Sequence, residues 1–179
     1  MRELSLNILD IAENSVRAGA TLIEISVIAE NNILTISVKD NGCGMDGDFL
    51  SVVTDPFTTT RTTRKVGLGI PLLKMEAEMS GGTFSIESEK GVGTETKATF
   101  VIDNIDRPPL GSLADTIVAL VSGSGADLKL FYRNGGEFCF DTRELRAELG
   151  GIAVDEPEIL MFIRDLINEN ISCNGGVRL

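Results

Sequence analysis

An apolar strand that ends in a carboxylate constrains the fold of this chain more than any other segment. From Leu34 to Val38 every second residue is apolar, and the same count by two reaches Asp40. Because alternate side chains of a strand share one face, Asp40 faces the core side, where a carboxylate needs a partner. Gly42 and Gly44 follow at once and let the backbone turn and approach a ligand closely. The pattern favours a small molecule with a hydrogen-bond donor as that partner.

Charge and length limit the classes of function. The 179 residues include 27 acidic and 16 basic side chains, giving a formal net charge of -11, and 42% of the residues are apolar. This length fits one globular domain of ordinary size or a domain with a small appendage. The negative charge argues against binding to nucleic acid or to an anionic membrane surface. Because the sequence has no apolar run of membrane-spanning length and no apolar leader, we expect a cytoplasmic protein.

The histidine and cysteine content of the sequence excludes several kinds of catalytic and metal site. The sequence contains no histidine, so it cannot itself supply a Ser-His-Asp triad, a histidine metal site or a phosphohistidine. Cys43, Cys139 and Cys173 are far apart and lack the spacing of a zinc or iron–sulfur site. We expect three reduced thiols.

Periodicity predicts two helices against a four-stranded mixed sheet in the first part of the chain. Asn31-Asn32 tolerates the positive backbone angles of a tight hairpin, and a second hairpin surrounds residues 90–93. Residues 46–66 have neither helical nor strand periodicity and are predicted to form a mobile loop. The predicted helices cover residues 4–18 and 71–80, and the predicted strands cover residues 22–29, 33–39, 83–89 and 95–102.

A second region follows Pro108-Pro109. We predict a linker at residues 105–112 and a small α+β region at residues 113–179, with helices at its start and end and a hairpin between them. Its role stays open between two interpretations. It is an appendage that covers the sheet or completes the core, or it is a module for partner docking or homodimerisation.

Four motifs in a fixed order resemble the nucleotide-binding domain of the GHKL group, also called the Bergerat fold. This group includes sensor histidine kinases, DNA gyrase, Hsp90-type chaperones and mismatch-repair ATPases. Singly, each motif is typical of a solvated helix face, a turn or a helix start. In order they are similar to the N-box at residues 10–20, the aspartate-glycine motif at 40–45, the second glycine box at 67–70 and the third glycine box at 91–94. Between the second and third of them, residues 55–61 are similar to the family's phenylalanine box. The resemblance covers residues 3–102 and implies a two-layer α+β sandwich for residues 1–104.

The resemblance implies a site for ATP and Mg²⁺. Asn14 would hold Mg²⁺ between the phosphates, and an amide oxygen is a suitable hard ligand. Asp40 would accept a hydrogen bond from the adenine amino group, with Thr94 supporting the pocket beside it. Gly42 and Gly44 would give the base and sugar close backbone access.

Most of the other predicted nucleotide ligands lie in the second glycine box and in the loop before it. Gly67 and Gly69 would offer N–H groups to phosphates at a helix start, where the helix dipole favours anions. Basic lid residues would contact phosphate as well. The lid residues are Arg61, Arg64 and Lys65, and the remaining predicted cofactor-binding residues are Met45, Phe57, Thr59 and Leu68.

One departure from the family pattern bears on catalysis. Where many hydrolysing members have glutamate one helical turn before the magnesium asparagine, this chain has Asp10, whose side chain is one methylene shorter. A misplacement of about 1 Å can lower a rate roughly 10²-fold. Asp10 could still act as a general base towards water or a partner's hydroxyl.

Two functions follow from the resemblance. In one, the protein is an enzyme, either an ATPase or a kinase that phosphorylates a partner's Ser/Thr or His, as anti-sigma-factor serine kinases of this family do. In the other, it is a nucleotide-controlled binding module in which ATP orders the lid and presents a surface to a protein partner. Asp10 favours regulation with weak catalysis. A role in DNA repair is disfavoured by the charge and the chain length.

Overall fold

The computed structural model describes residues 3–53 and 69–179. Within these ranges the chain forms six helices and six strands. In chain order they are α1 (Leu4–Arg17), β1 (Leu22–Glu30), β2 (Ile33–Asp40), α2 (Gly47–Val52), α3 (Gly69–Met79), β3 (Phe84–Glu89), β4 (Gly93–Val101), α4 (Leu113–Ser124), β5 (Asp127–Asn134), β6 (Gly136–Asp141), α5 (Thr142–Glu148) and α6 (Pro157–Cys173).

All six strands belong to one mixed sheet in the order β3-β4-β2-β1-β5-β6. The β1/β5 pair is parallel, while the other four pairs are antiparallel. Asn31 and Asn32 join β1 to β2 with φ angles of 51° and 62°, as the hairpin prediction requires. The predicted α+β fold with a mixed sheet is confirmed.

The helices cover one face of the sheet and leave the other open. On the covered face, alternate residues of β1 and β2 are buried, such as Ile25 and Ile36. Helix α1 lies centrally on this face, because α3 packs along one side of it and α4 along the other. Buried residues of α1 that meet this core include Leu4, Ile8 and Ile11. Burial of each such side chain stabilises the fold by about 1.5–3 kcal/mol.

Residues after 104 continue the same sheet and the same core. Strand β5 lies beside β1 in parallel register, with Ile25 opposite Leu130. The backbone N–H groups of Leu4 and Ser5 donate to the Pro109 and Leu110 carbonyls, at 2.9 and 2.8 Å. Residues within the predicted linker therefore bind the first turn of α1. The division of the chain into domains stays a prediction.

Two boundaries differ from the sequence predictions. Residues Gly47–Val52 form α2, so the predicted loop at residues 46–66 is wrong there. Helix α3 begins at Gly69, two residues before the predicted start at Pro71. Since Pro71 lacks an N–H, it fits the first turn of a helix and marks its start only to within a residue or two. The described part of the predicted loop, residues 46–53, consists of α2 and its two flanking residues. The rest of the predicted loop, residues 54–66, lies outside the described residues.

Candidate functional site

Asp40 is fixed at the end of β2 by two hydrogen bonds. Its Oδ2 accepts from the Ser15 hydroxyl at 2.6 Å, and its Oδ1 accepts from the Gly42 N–H at 2.8 Å. Ser15 is a buried residue of α1, and Asp40 is half-buried. Each carboxylate oxygen can accept a second hydrogen bond, so Asp40 keeps acceptor capacity for a ligand. The buried partner expected for Asp40 thus includes Ser15 of the protein itself.

A row of polar side chains crosses the sheet from Asp40. Thr94 of β4 lies directly opposite Asp40, and Ser88 of β3 lies directly opposite Thr94. The Ser88 and Thr94 hydroxyl oxygens are 2.8 Å apart. Ser88 Oγ also accepts from the Met45 N–H at 2.8 Å and donates to the Gly93 carbonyl at 3.0 Å. The predicted residues Asp40, Met45 and Thr94 are therefore brought together, with Ser88 as an unpredicted fourth member.

Three glycines of the 40–45 and 91–94 motifs pack closely against other parts of the protein. Gly44 has a φ of +63°, and a Cβ there would lie 2.0 Å from the Glu89 carbonyl oxygen. A Cβ on Gly93 would lie 2.0 Å from the Asp40 carbonyl oxygen. A Cβ on Gly42 would meet Ala18 at 2.9 Å. Close approach of the β3/β4 hairpin to β2 and the loop after it thus requires glycine at positions 44 and 93, while Gly42 lets that loop pass close to Ala18.

The second predicted cluster lies towards the N-terminus of α1. A Cβ on Gly69 would lie 2.9 Å from the Asp10 Cβ, so α3 begins directly against Asp10. Asn7, which is 1% exposed, donates its side-chain N–H to the Glu76 carboxylate and ties α1 to α3. The start of a helix presents free N–H groups and a positive dipole end, which suits a phosphate.

Asn14 sits between these two clusters on α1. Its Oδ1 accepts a hydrogen bond from Arg17 Nη1 at 3.1 Å, and Arg17 Nη2 pairs with Glu13 at 2.7 Å. Asp10 and Ser15 are five positions apart, which is about 7.5 Å along the helix axis. Helix α1 therefore has Asp10 near one end, and Ser15 near the other end, of a ligand that spans about 7.5 Å.

Several predicted site residues lie outside the described residues. The structure thus gives no geometry for the phenylalanine box, the basic lid or the first two residues of the second glycine box, of which Gly69 and Ile70 are described. The predicted residues outside the described ranges are Phe57, Thr59, Arg61, Arg64, Lys65, Gly67 and Leu68.

Sequence reasoning missed four residues of these clusters: Ser15, Ser88, Asn7 and Glu76. A signal existed for Ser88, because it continues the stripe of Phe84 and Ile86 and ends it with a polar group, as Asp40 does for β2. Asn7 and Glu76 lack such a signal, because their contact joins positions 69 residues apart.

A cavity of about 400 Å³ at the same end of the sheet touches the polar row, because Asp40, Ser88 and Thr94 are among its lining residues. Most of its charged lining comes from the open face, including Glu24, Lys39, Glu87 and Glu95. Several carboxylates around one space repel a polyphosphate. The cavity therefore does not suit the triphosphate of ATP, and the clusters along α1 remain the candidate site.

Other observations limit the chemistry of the described residues. Residues 3–53 and 69–179 contain no group of three or more Cys, Asp or Glu side chains that could hold a metal ion. Within the same ranges, no helix combines the length and apolar character needed to cross a lipid bilayer. The three cysteines are free and exposed.

Comparison with known proteins supports the resemblance. The sequence model of the family described as "Histidine kinase-, DNA gyrase B-, and HSP90-like ATPase" matches residues 1–104. An uncharacterized sensor-like histidine kinase of Rhizobium meliloti is 36% identical over 87 residues, which are 46% of this chain and 17% of that protein. The autoinducer 2 sensor kinase/phosphatase LuxQ of Vibrio harveyi is 38% identical over 79 residues, which are 41% of this chain and 9% of that protein. This chain thus covers less than a fifth of either relative.

The fold has a counterpart among solved structures. The N-terminal domain of a DNA repair protein superposes with a TM-score of 0.54 at 13% sequence identity, covering 79% of this chain and 52% of that one. This likeness concerns the fold alone. Because the family match covers more than half of the sequence, the chain belongs to the histidine kinase-, DNA gyrase B-, and HSP90-like ATPase family and carries its histidine-kinase-like ATP-binding sequence in residues 1–104.

Proposed function

We propose that this protein binds Mg-ATP along α1 and uses it for regulation, with slow hydrolysis or phosphotransfer to a protein partner. Asp40 accepts a hydrogen bond from the adenine amino group, and the start of α3 at Gly69 receives the phosphates. The observation that carries the proposal is that α1 contacts both clusters. Ser15 holds Asp40 at one end, and Asp10 lies against Gly69 at the other.

The Mg²⁺ requirement fits the donor set around Asn14. Mg²⁺ with a nucleotide needs only one or two protein oxygens, because the phosphates and water supply the others. The Asn14 Oδ1 is such an oxygen, and its present donor, Arg17, is an exposed side chain that can turn away. When bound, the ion neutralises phosphate charge and fixes the triphosphate. Such a Mg²⁺ site does not need three protein carboxylates. Residues 3–53 and 69–179 contain no group of three that could hold a metal ion.

Asp10 is the group proposed to move a proton. In hydrolysis its carboxylate takes the proton of water while the water oxygen attacks the γ-phosphorus and the bond to the ADP oxygen breaks. In phosphotransfer, a partner's hydroxyl takes the place of that water. Aspartate reaches one methylene less far than glutamate, so this step is slow. A partner must provide the acceptor for histidine phosphorylation, since the sequence contains no histidine.

The test uses the full chain with Mg²⁺ and γ-labelled ATP. We expect micromolar to millimolar ATP binding that needs Mg²⁺, slow release of labelled phosphate, and a turnover that Asp10→Asn lowers about 10²-fold. Asp106→Asn, an exposed position in the segment after β4, is the matched control and should leave both binding and turnover unchanged.

The outcomes separate the proposed function from its competitor. Absence of ATP binding by the wild-type protein would refute the proposal as a whole. Binding without phosphate release and without label transfer to a partner would favour the nucleotide-controlled binding module instead. That alternative draws its support from the short Asp10 side chain. Turnover that persists unchanged in Asp10→Asn would remove Asp10 from the mechanism.

A further inference from the structure

Ser88 belongs to the same row of polar side chains as Asp40 and makes three polar contacts. It lies near the end of β3, and its Oγ is 2.8 Å from the Met45 nitrogen, 3.0 Å from the Gly93 carbonyl oxygen and 2.8 Å from the Thr94 Oγ1. None of the sequence motifs that predict the nucleotide site includes Ser88. Its contacts join the loop after β2 to the β3/β4 hairpin.

Counting protons fixes the direction of each bond. A hydroxyl has one proton and two acceptor lone pairs. The Met45 N–H can only donate to Ser88, and the Gly93 carbonyl can only accept from it, so the single Ser88 proton goes to Gly93. The second lone pair of Ser88 then accepts the Thr94 proton. This is the one arrangement in which all three contacts are hydrogen bonds, and hydrogen positions follow from the network in this way.

In this arrangement the row of polar side chains offers a ligand only hydrogen-bond acceptors. With its proton held by Ser88, the Thr94 hydroxyl presents lone pairs. The Asp40 carboxylate beside it also accepts, as it does from Ser15 and Gly42. Adenine carries an amino group at C6, whereas hypoxanthine and guanine carry a carbonyl oxygen there. Acceptors that face an amino group form hydrogen bonds, while acceptors that face a carbonyl oxygen are left unpaired and repelled.

We infer that Ser88 sets the base selectivity of this site by holding the Thr94 hydroxyl proton away from the base. The inference rests on the proposed function, in which Asp40 and Thr94 face adenine. Without Ser88 the Thr94 hydroxyl can rotate and donate to a carbonyl at C6. Ser88 acts through Thr94 and Met45, so it is a positioning residue and does not itself contact the ligand.

The experiment compares Kd values for Mg-ATP and Mg-ITP, whose bases differ in the C6 group, amino or carbonyl, and in the proton that hypoxanthine carries at N1. Ser88→Ala should lower the ratio of the ITP Kd to the ATP Kd about 5- to 10-fold, the effect of about one hydrogen bond. Both Kd values should also rise, because the Met45 N–H loses its acceptor, but the ratio cancels that common change. Ser88→Thr keeps a hydroxyl and should keep the wild-type ratio. Ser85→Ala, on the open face of the same strand, is the matched control and should change nothing.

A double variant guards against a merely structural effect. Thr94→Val has no hydroxyl proton to direct, so adding Ser88→Ala to it should leave the ITP/ATP ratio unchanged. A change in the ratio in that background would overturn the inference. So would an unchanged ratio in Ser88→Ala with ATP binding retained, and in that case the proposed function would still stand. If the wild-type protein binds neither nucleotide, the proposed function itself fails.

Discussion

At the base end of the proposed site, Ser15 and Gly42 hold both oxygens of Asp40, whereas the proposed phosphate end offers an oxygen on the surface of α1 that is bonded to an exposed arginine. Asn14, the proposed magnesium ligand, is bonded to Arg17, a side chain that is 58% exposed. Groups fixed by bonds within the protein are preorganised for binding, and groups on a helix surface can be rearranged by what binds there. The difference predicts that nucleotide recognition and phosphate chemistry can be separated by mutation in the proposed function.

The largest effect should come from breaking the phosphate end alone. Asp10→Asn keeps the shape but removes the base, so turnover should fall about 10²-fold, a typical general-base contribution. The ATP Kd should change less than about 2-fold, because recognition lies at the other end of α1. Phosphate release and ATP titration on the same preparation measure both. Asp10→Glu sharpens the test and should raise turnover, because it restores the longer reach; a lower turnover in Asp10→Glu would contradict the reach argument.

Breaking the base end should have the reverse pattern. Asp40→Asn replaces the carboxylate that accepts hydrogen bonds from Ser15 and, as proposed, from the adenine amino group. The ATP Kd should therefore rise about 10- to 100-fold, as expected for the loss of charged hydrogen bonds. Turnover at saturating ATP should change much less. Isothermal titration and saturation kinetics would show this, with Asp106→Asn as the matched control. An unchanged Kd would mean that Asp40 does not contact the base.

The link between α1 and α3 should give a smaller effect. Asn7→Ala removes a buried donor to Glu76, so the free energy of unfolding should fall by about 1–2 kcal/mol. Turnover should fall with it, because the start of α3 is no longer tied to α1, while the ITP/ATP selectivity should stay at the wild-type value. Urea unfolding measures the first effect and nucleotide titration the last. A shifted selectivity would show that the two ends are coupled.

The smallest effect concerns the surface pair beside Asn14. Arg17→Ala removes an exposed ion pair with Glu13, which is worth about 0–1 kcal/mol. Arg17→Ala also frees the Asn14 oxygen, so the Mg-ATP Kd should fall by up to about 3-fold. Binding of ATP without Mg²⁺ should not improve. Arg164→Ala, which removes another exposed ion-pair arginine on α6, is the control. Equal gains with and without Mg²⁺ would argue against Asn14 as the metal ligand.

Local patterns were enough to predict much of the fold, because they reflect local physics. The alternation in β1 and β2 and the Asn31-Asn32 turn predicted a hairpin that the structure contains. Helix α2 was missed, since six residues without clear periodicity carry little signal. The place of β5 beside β1 could not be predicted, because parallel pairing joins segments about 100 positions apart through a long crossover.

The candidate site was predictable where it rests on motifs and not where it rests on packing. Asp40 and Thr94 come from motifs that are far apart in sequence and are opposite each other in the sheet. Ser15 and Ser88 hold them in place, and neither stands out by composition. The roles of these residues stay predictions until the nucleotide measurements are made.

The parallel pairing of β5 with β1 has a practical consequence for any shortened protein. A fragment of residues 1–104 would leave the N–H and C=O groups along one side of β1 without strand partners, and it would uncover the side of α1 on which α4 packs. Unpaired strand edges and exposed apolar surface promote association between molecules. Such a fragment would carry every nucleotide motif and still give affinities distorted by self-association, so quantitative nucleotide binding should be measured on all 179 residues.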